Sequence, residues 1–206
     1  MRLTIFGASS PSGRLLVEKA LARGFEVTAF VRNEKKLAIT SPNLKIFCGD
    51  ALNPADVEIA IQGSDAVLST LGPKGKPAVM AAQSTKNIVD AMEKHEVKRL
   101  VVVSVAGISM TQDNRKRNLI DSLLKLLLKD VFMDRESQIA VLNASNLDWI
   151  AVRVPRLTDE PATGSVRAFF GSPSPNFKVT RGDLADFMLE QLTSDRWVRR
   201  APILSN

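Results

Sequence analysis

The chain has 206 residues, 45% of them hydrophobic and 24% charged, the balance of a soluble globular chain and not of a collagen-like, low-complexity or disordered one. That length suits a single domain, residues 1–206, around one sizeable core. Lys and Arg number 28 against 22 Asp and Glu, leaving a formal charge of +6 that welcomes an anion. Aromatics are only 5% and the cations are scattered among acids, so a small phosphorylated ligand is expected and a nucleic acid is not.

Cys48 is the one cysteine and His95 the one histidine. Disulfides within the chain and Cys-based zinc sites are therefore excluded, and a Ser-His-Asp triad has a single histidine to draw on. His95 lies in the polar helix end Ala91–Glu96 and reads as a surface residue. Met1–Phe6 shows no signal-peptide pattern, and no apolar run approaches a membrane span. A cytoplasmic protein with no membrane association is expected.

In chain order, short β-rich runs alternate with longer helical ones. Leu3–Phe6 reads as a strand, followed by a Gly/Ser turn and a helix that runs up to Gly24. Glu26–Val31, Leu44–Cys48, Ala66–Ser69, Leu100–Val103 and Trp149–Val152 are again strand-like. Asn53-Pro54 sets a capping side chain before a first-turn proline, and Pro77 opens a helical run to about Glu93. Asn118–Asn146 predicts one or two leucine-rich helices, Gly171–Asn176 a loop, and Arg181–Leu192 a last helix. Continuous runs such as Leu100–Val103 belong to strands covered on both faces. The fold class is therefore α/β: a doubly wound parallel sheet of the Rossmann type.

The first strand-to-helix turn is Gly7-Ala8-Ser9-Ser10-Pro11-Ser12-Gly13. Dinucleotide sites need glycines here for a tight turn, close approach of the pyrophosphate and close packing of helix on strand. Gly7 and Gly13 hold the first and last of these positions, and Ser10 stands at the middle one. Ser9, Ser10 and Ser12 offer hydroxyls, and Pro11 suits the first helical turn. The second strand ends in Arg32, with Lys35 and Lys36 close behind. Arginine matches a ribose 2′-phosphate where an acid would bind the free ribose hydroxyls, so NADP is the expected cofactor.

These residues resemble the atypical short-chain dehydrogenase/reductases over almost the whole chain. The likeness is strongest to the branch of the biliverdin-IXβ reductases, also called NADPH-dependent flavin reductases, and their bacterial NAD(P)H-binding relatives. Gly7–Gly13, Val31-Arg32, Gly49–Leu52, Asp65–Val67, Leu71-Gly72, Val79-Met80, Asn87–Val89, Pro155–Leu157, Thr163-Gly164 and Asp183–Leu189 carry it. The resemblance implies that Gly7 and Ser9–Gly13 hold the pyrophosphate, and Arg32 with Lys35 or Lys36 the 2′-phosphate. It sets Asp50 and Ala51 against the adenine and Leu71-Gly72 beside the neighbouring ribose. Val103, Ser104 and Val105, with Pro155, Arg156 and Leu157, would flank the nicotinamide. Val105 stands where the mammalian-type enzyme has a serine, and Arg156 and Arg135 stand where it has histidines.

The chain contains no tyrosine. Carbonyl reduction by most short-chain dehydrogenases uses a tyrosine acid, so that mechanism has no donor here. Hydride transfer to a flavin, bilin or related conjugated ring remains, because such a ring delocalises charge and solvent can protonate it. Ser104 is then the one hydroxyl expected beside the reacting ring. The alternative is a non-catalytic NADP-binding sensor or assembly protein; an epimerase-like activity is disfavoured by the missing tyrosine.

Overall fold

The computed structural model describes residues 1–72, 80–108, 113, 129–171 and 177–206. Six parallel strands form the body of the sheet: β1 (Arg2–Phe6), β2 (Glu26–Val31), β3 (Leu44–Cys48), β4 (Ala66–Ser69), β5 (Arg99–Val105) and β6 (Asp148–Val154). Three short strands, β7 (Arg156–Thr158), β8 (Arg167–Phe169) and β9 (Lys178–Thr180), precede the C-terminal strand β10 (Ile203–Ser205). The main sheet runs in the order β3-β2-β1-β4-β5-β6-β10-β8, and β7 pairs with β9 apart from it. β8 alone runs antiparallel to its neighbour. The order reverses at β1, which pairs with both β2 and β4, so a crevice opens there at the carboxyl ends of the strands.

Alternation along the strands divides the core in two. Leu3, Ile5, Val101, Ile150 and Val152 face α1 (Pro11–Ala22) and the last helix, α5 (Arg181–Glu190). Leu100, Val102, Trp149 and Ala151 face α2 (Pro54–Ile61), α3 (Ala81–Lys94) and α4 (Lys129–Ala144). The β5–β6 register pairs Leu100 with Trp149 and Val102 with Ala151 on that second face, and then Ser104 with Arg153. The apolar layer thus turns polar just below the carboxyl edge.

Arg153 is fully buried in that layer. Its Nε donates to the Ala201 carbonyl at 2.7 Å and its Nη2 to Asp113 at 2.7 Å, while a second donor reaches the Ile108 carbonyl. A buried guanidinium requires this degree of satisfaction. The pair ties the chain beyond β5 to the carboxyl end of β6.

The predicted strands and the helices α1 and α2 stand where the sequence puts them. The helix predicted from Pro77 begins at Ala81 among the described residues, and Met80 gives it no side-chain cap. Its cap comes from another helix: Asp134 of α4 accepts from the backbone N–H of Met80, Ala81 and Ala82. Of the helical region 118–146, α4 covers Lys129–Ala144, and residues 118–128 lie outside the described set. Most of the predicted loop 171–176 lies outside it too. His95, expected at the surface, is half-buried at the end of α3, with Nε2 3.6 Å from Glu58. Among the described residues no helix is long and apolar enough to cross a membrane.

Asp183, in the first turn of α5, locks the C-terminal third together. Its carboxylate accepts from Thr163 and Gly164 N–H groups, from the hydroxyls of Thr163 and Thr180, and from Asn206 Nδ2. Burial pushes this carboxyl upward, but the hydrogen bonds from Thr163, Thr180, Asn206 and Gly164 outweigh it and bring the pKa down from 3.8 to about 2. A depressed acid of this kind contributes stability that is fully present above pH 3.8 and lost as pH falls through about 2. Asp183→Asn is expected to lower stability at neutral pH by about 1.5–3 kcal/mol. In thermal unfolding series, the gap between parent and variant should close between pH 4 and pH 2; a gap independent of pH would contradict this role.

Candidate nucleotide site

Gly7 closes β1 with φ +76°, the left-handed conformation that favours glycine. A Cβ there would stand 2.9 Å from Thr70 Oγ1, and a Cβ at Gly13 would stand 2.2 Å from the Gly7 carbonyl oxygen. The two glycines therefore let α1 start directly against the end of β1. Thr70, at the end of β4, fixes the turn by placing its hydroxyl 3.3 Å from the Phe6 carbonyl and 3.2 Å from that of Gly7.

Ser10 is the N-cap of α1. Its Oγ accepts from the Gly13 N–H at 3.0 Å and sits 3.3 Å from Thr70 Oγ1. Its hydroxyl thus serves the helix, and Pro11 at the first helical position removes a donor that the helix does not use. Ser9 is half-buried and Ser12 buried. The Gly13 N–H goes to Ser10 Oγ and the Arg14 N–H to the Ser10 carbonyl, so it is the positive end of the α1 dipole at the carboxyl edge of β1 that suits a pyrophosphate.

Beyond β2, Arg32, Lys35 and Lys36 are all exposed. Asn33 caps a short 3-10 turn, Glu34–Lys36, by accepting from the Lys35 N–H. Among the described residues the side chains of these three cations make no ion pair. Beyond β3, Gly49 packs where a Cβ would meet Asp56, Phe30 and Phe47 at 2.9–3.0 Å. Asp50 Oδ1 accepts from the Leu52 N–H, and the Asp50 N–H donates to Asp56. Asn87 of α3 donates to the Ala51 carbonyl at 2.9 Å, which holds the Asp50–Leu52 turn from behind.

Leu71 and Gly72 follow β4, and Gly72 is exposed with open space beside it. Val103 and Val105 are half-buried at the end of β5, whereas Ser104 between them is 1% exposed. Its Oγ has no hydrogen-bond partner among the described residues. Arg135 of α4 spans the same strand ends from below, donating to the carbonyls of Leu71 at 3.1 Å and Val103 at 3.2 Å. It also bonds Gln138, which in turn donates to Thr85. Burial lowers the pKa of Arg135, opposed by the neighbouring Asp134 carboxylate. Pro155 and Leu157 are half-buried and Arg156 is exposed at the start of β7.

Every residue singled out from the sequence thus lies at the carboxyl edge of the parallel sheet, in the order β3, β2, β1, β4, β5, β6. Thr70, Asn87 and Arg135 were not assigned these supporting roles. The short polar residues carry no spacing motif, and their partners lie 32–64 positions away in sequence. The glycine cradle, the start of α1 at the carboxyl edge and the cations beyond β2, which make no ion pair among the described residues, fit a phosphorylated dinucleotide.

Comparison with known proteins agrees. Residues 7–195 match a family described as NAD(P)H-binding. A chloroplastic protein of Arabidopsis thaliana is 29% identical over 178 residues, 80% of this chain, and the match spans 62% of that protein's length. ChuY, an anaerobilin reductase from Escherichia coli O157:H7, superposes with a TM-score of 0.81 at 20% identity, covering 100% of this chain and 97% of its own. A short-chain dehydrogenase/reductase from Veillonella parvula in complex with NADP gives a TM-score of 0.84 at 19% identity, covering 100% and 94%. At such identities the two structures speak for the fold.

With Ser10 acting as a cap, Ser10→Gly is expected to lower stability by only a few tenths of a kcal/mol and Ser10→Ala by about 1 kcal/mol. NADPH affinity in a calorimetric titration should stay within about threefold of the parent for Ser10→Gly. A gain near a hundredfold would show that the serine obstructs the phosphate.

Proposed function

The chain belongs to the NAD(P)H-binding family, and from that premise we propose that it is an NADPH-dependent reductase of flavins, bilins or related conjugated rings. The observation that carries this reading is a dinucleotide-binding fold in a chain with no tyrosine. When bound, NADPH supplies the hydride. The protein's own part is position: α1 and its loop hold the phosphates, and Leu71, Val103 and Val105 form an apolar floor beside the strand ends. Alignment of donor and acceptor removes much of the barrier to such a transfer.

No side chain is required as an acid. Ser104 is the one hydroxyl on the β5 end, and its burial argues against a direct role in protonating an acceptor. The conjugated ring takes up the negative charge, and solvent delivers the proton. NADPH is preferred over NADH in this reading because Arg32, Lys35 and Lys36 gather beyond β2. Arg156 is exposed at the opposite end, and its guanidinium suits a flavin phosphate or a bilin propionate.

Steady-state NADPH oxidation with FMN and with riboflavin tests this. Ser104→Ala should retain most turnover, since a true general acid is worth about 100- to 10,000-fold. Arg156→Ala should raise KM for FMN more than for uncharged riboflavin, with kcat less affected. Collapse of kcat in Ser104→Ala would restore an acid role, and equal KM changes would remove Arg156 from substrate binding. No turnover with any ring acceptor would favour an NADP-binding sensor instead.

A further inference from the structure

Arg14 belongs to none of the motifs above, yet it reaches across them. It is the fourth residue of α1, directly after Gly13, and its backbone N–H closes the first helical bond to the Ser10 carbonyl. Its side chain is exposed and crosses from α1 to the turn beyond β2, where Nη2 donates to the Lys36 carbonyl at 2.6 Å. That turn is itself held by the Asn33 cap and by the Lys36 N–H bond to the Asn33 carbonyl. The guanidinium is therefore fixed between the start of α1 and the end of β2, where a Rossmann sheet takes the adenosine ribose.

An arginine carries five N–H donors in a rigid fork. The Lys36 carbonyl takes one of them, and among the described residues Arg14 has no other side-chain partner and no ion pair. Four exposed cations, Arg14, Arg32, Lys35 and Lys36, thus stand on the start of α1 and the turn beyond β2, which the Arg14 bond joins. Glu18, one turn further along α1, and Glu34 in the turn are the nearby acids in sequence, and neither pairs with them in the described structure. Such a concentration of unbalanced charge repels itself until an anion enters.

We propose that Arg14 is a specificity-determining residue for the 2′-phosphate of NADPH, acting as the second arm of a clamp whose first arm is Arg32. This rests on the NADPH reading above. The bond to Lys36 pre-organises the guanidinium, so its remaining donors meet the phosphate at little conformational cost. A tether alone would need only one donor; the charge and the free donors are what a phosphate dianion uses.

Titration with adenosine 2′,5′-bisphosphate and with adenosine 5′-monophosphate, which differ only in the 2′-phosphate, separates the two roles. Arg14→Ala should weaken the 2′-phosphorylated ligand by about tenfold to a hundredfold and leave adenosine 5′-monophosphate within about twofold. Arg14→Gln keeps an amide donor for the Lys36 carbonyl but no charge, and it should show the same selective loss. Equal weakening of both ligands in Arg14→Ala, or recovery of full affinity in Arg14→Gln, would show a structural tether and overturn the proposal. A parent protein that binds the two ligands equally would overturn the NADPH reading itself.

Discussion

The start of α1 lies so close to the end of β1 that no side chain fits between them. A Cβ at Gly13 would come within 2.2 Å of the Gly7 carbonyl oxygen, far inside van der Waals contact. This one approach brings the N-terminus of the first helix to the carboxyl edge of the sheet, at the point where the strand order reverses. Gly7 in its left-handed conformation makes the turn, Ser10 caps the helix and Thr70 clasps the turn from the neighbouring strand. The position of Arg14 and the placing of the positive end of the α1 dipole both follow from it.

The edge is built differently at its two ends. At the β2–β3 end the cations are exposed and, among the described residues, make no ion pair, which leaves them available to a ligand. At the β5–β6 end two arginines are buried: Arg153 holds Asp113, and Arg135 holds two strand-end carbonyls, although its Nε has no partner among the described residues. The first arrangement is open; the second is stiff. Arg135 bonds the Leu71 and Val103 carbonyls together, so these strand ends are held rigidly to α4. Asp183 does the same for the rim, drawing Thr163, Gly164, Thr180 and Asn206 onto one carboxylate.

Much of this was legible in the residues. Continuous apolar runs such as Leu100–Val103 become central parallel strands because both of their faces are covered, and Asn53-Pro54 starts α2 because its cap is local. The phosphate loop could be read because its constraint lies within seven residues. What escaped reading depends on distant partners. Strands β7 to β10 are three residues each, too short for a period; β10 and β8 exist because they extend the sheet beyond β6, and β7 and β9 because they pair with each other. The start of α3 is capped by Asp134, more than fifty positions away. Ser10 read as a phosphate-binding hydroxyl, but its nearest orphan donor is the Gly13 N–H, and the helix takes it. Arg153 in the apolar strand β6 gave no hint that Asp113 would meet it.

The central claim is that this fold moves a hydride by position and electrostatics, without a protein acid. It is tested most directly by single-turnover reduction of FMN with NADPH and with NADPH deuterated at the nicotinamide C4, from about pH 6 to about pH 9. The account predicts a primary isotope effect on a rate that stays flat across that range. A rate that falls through a single ionisation as pH rises, in step with loss of a protein proton donor, would contradict it.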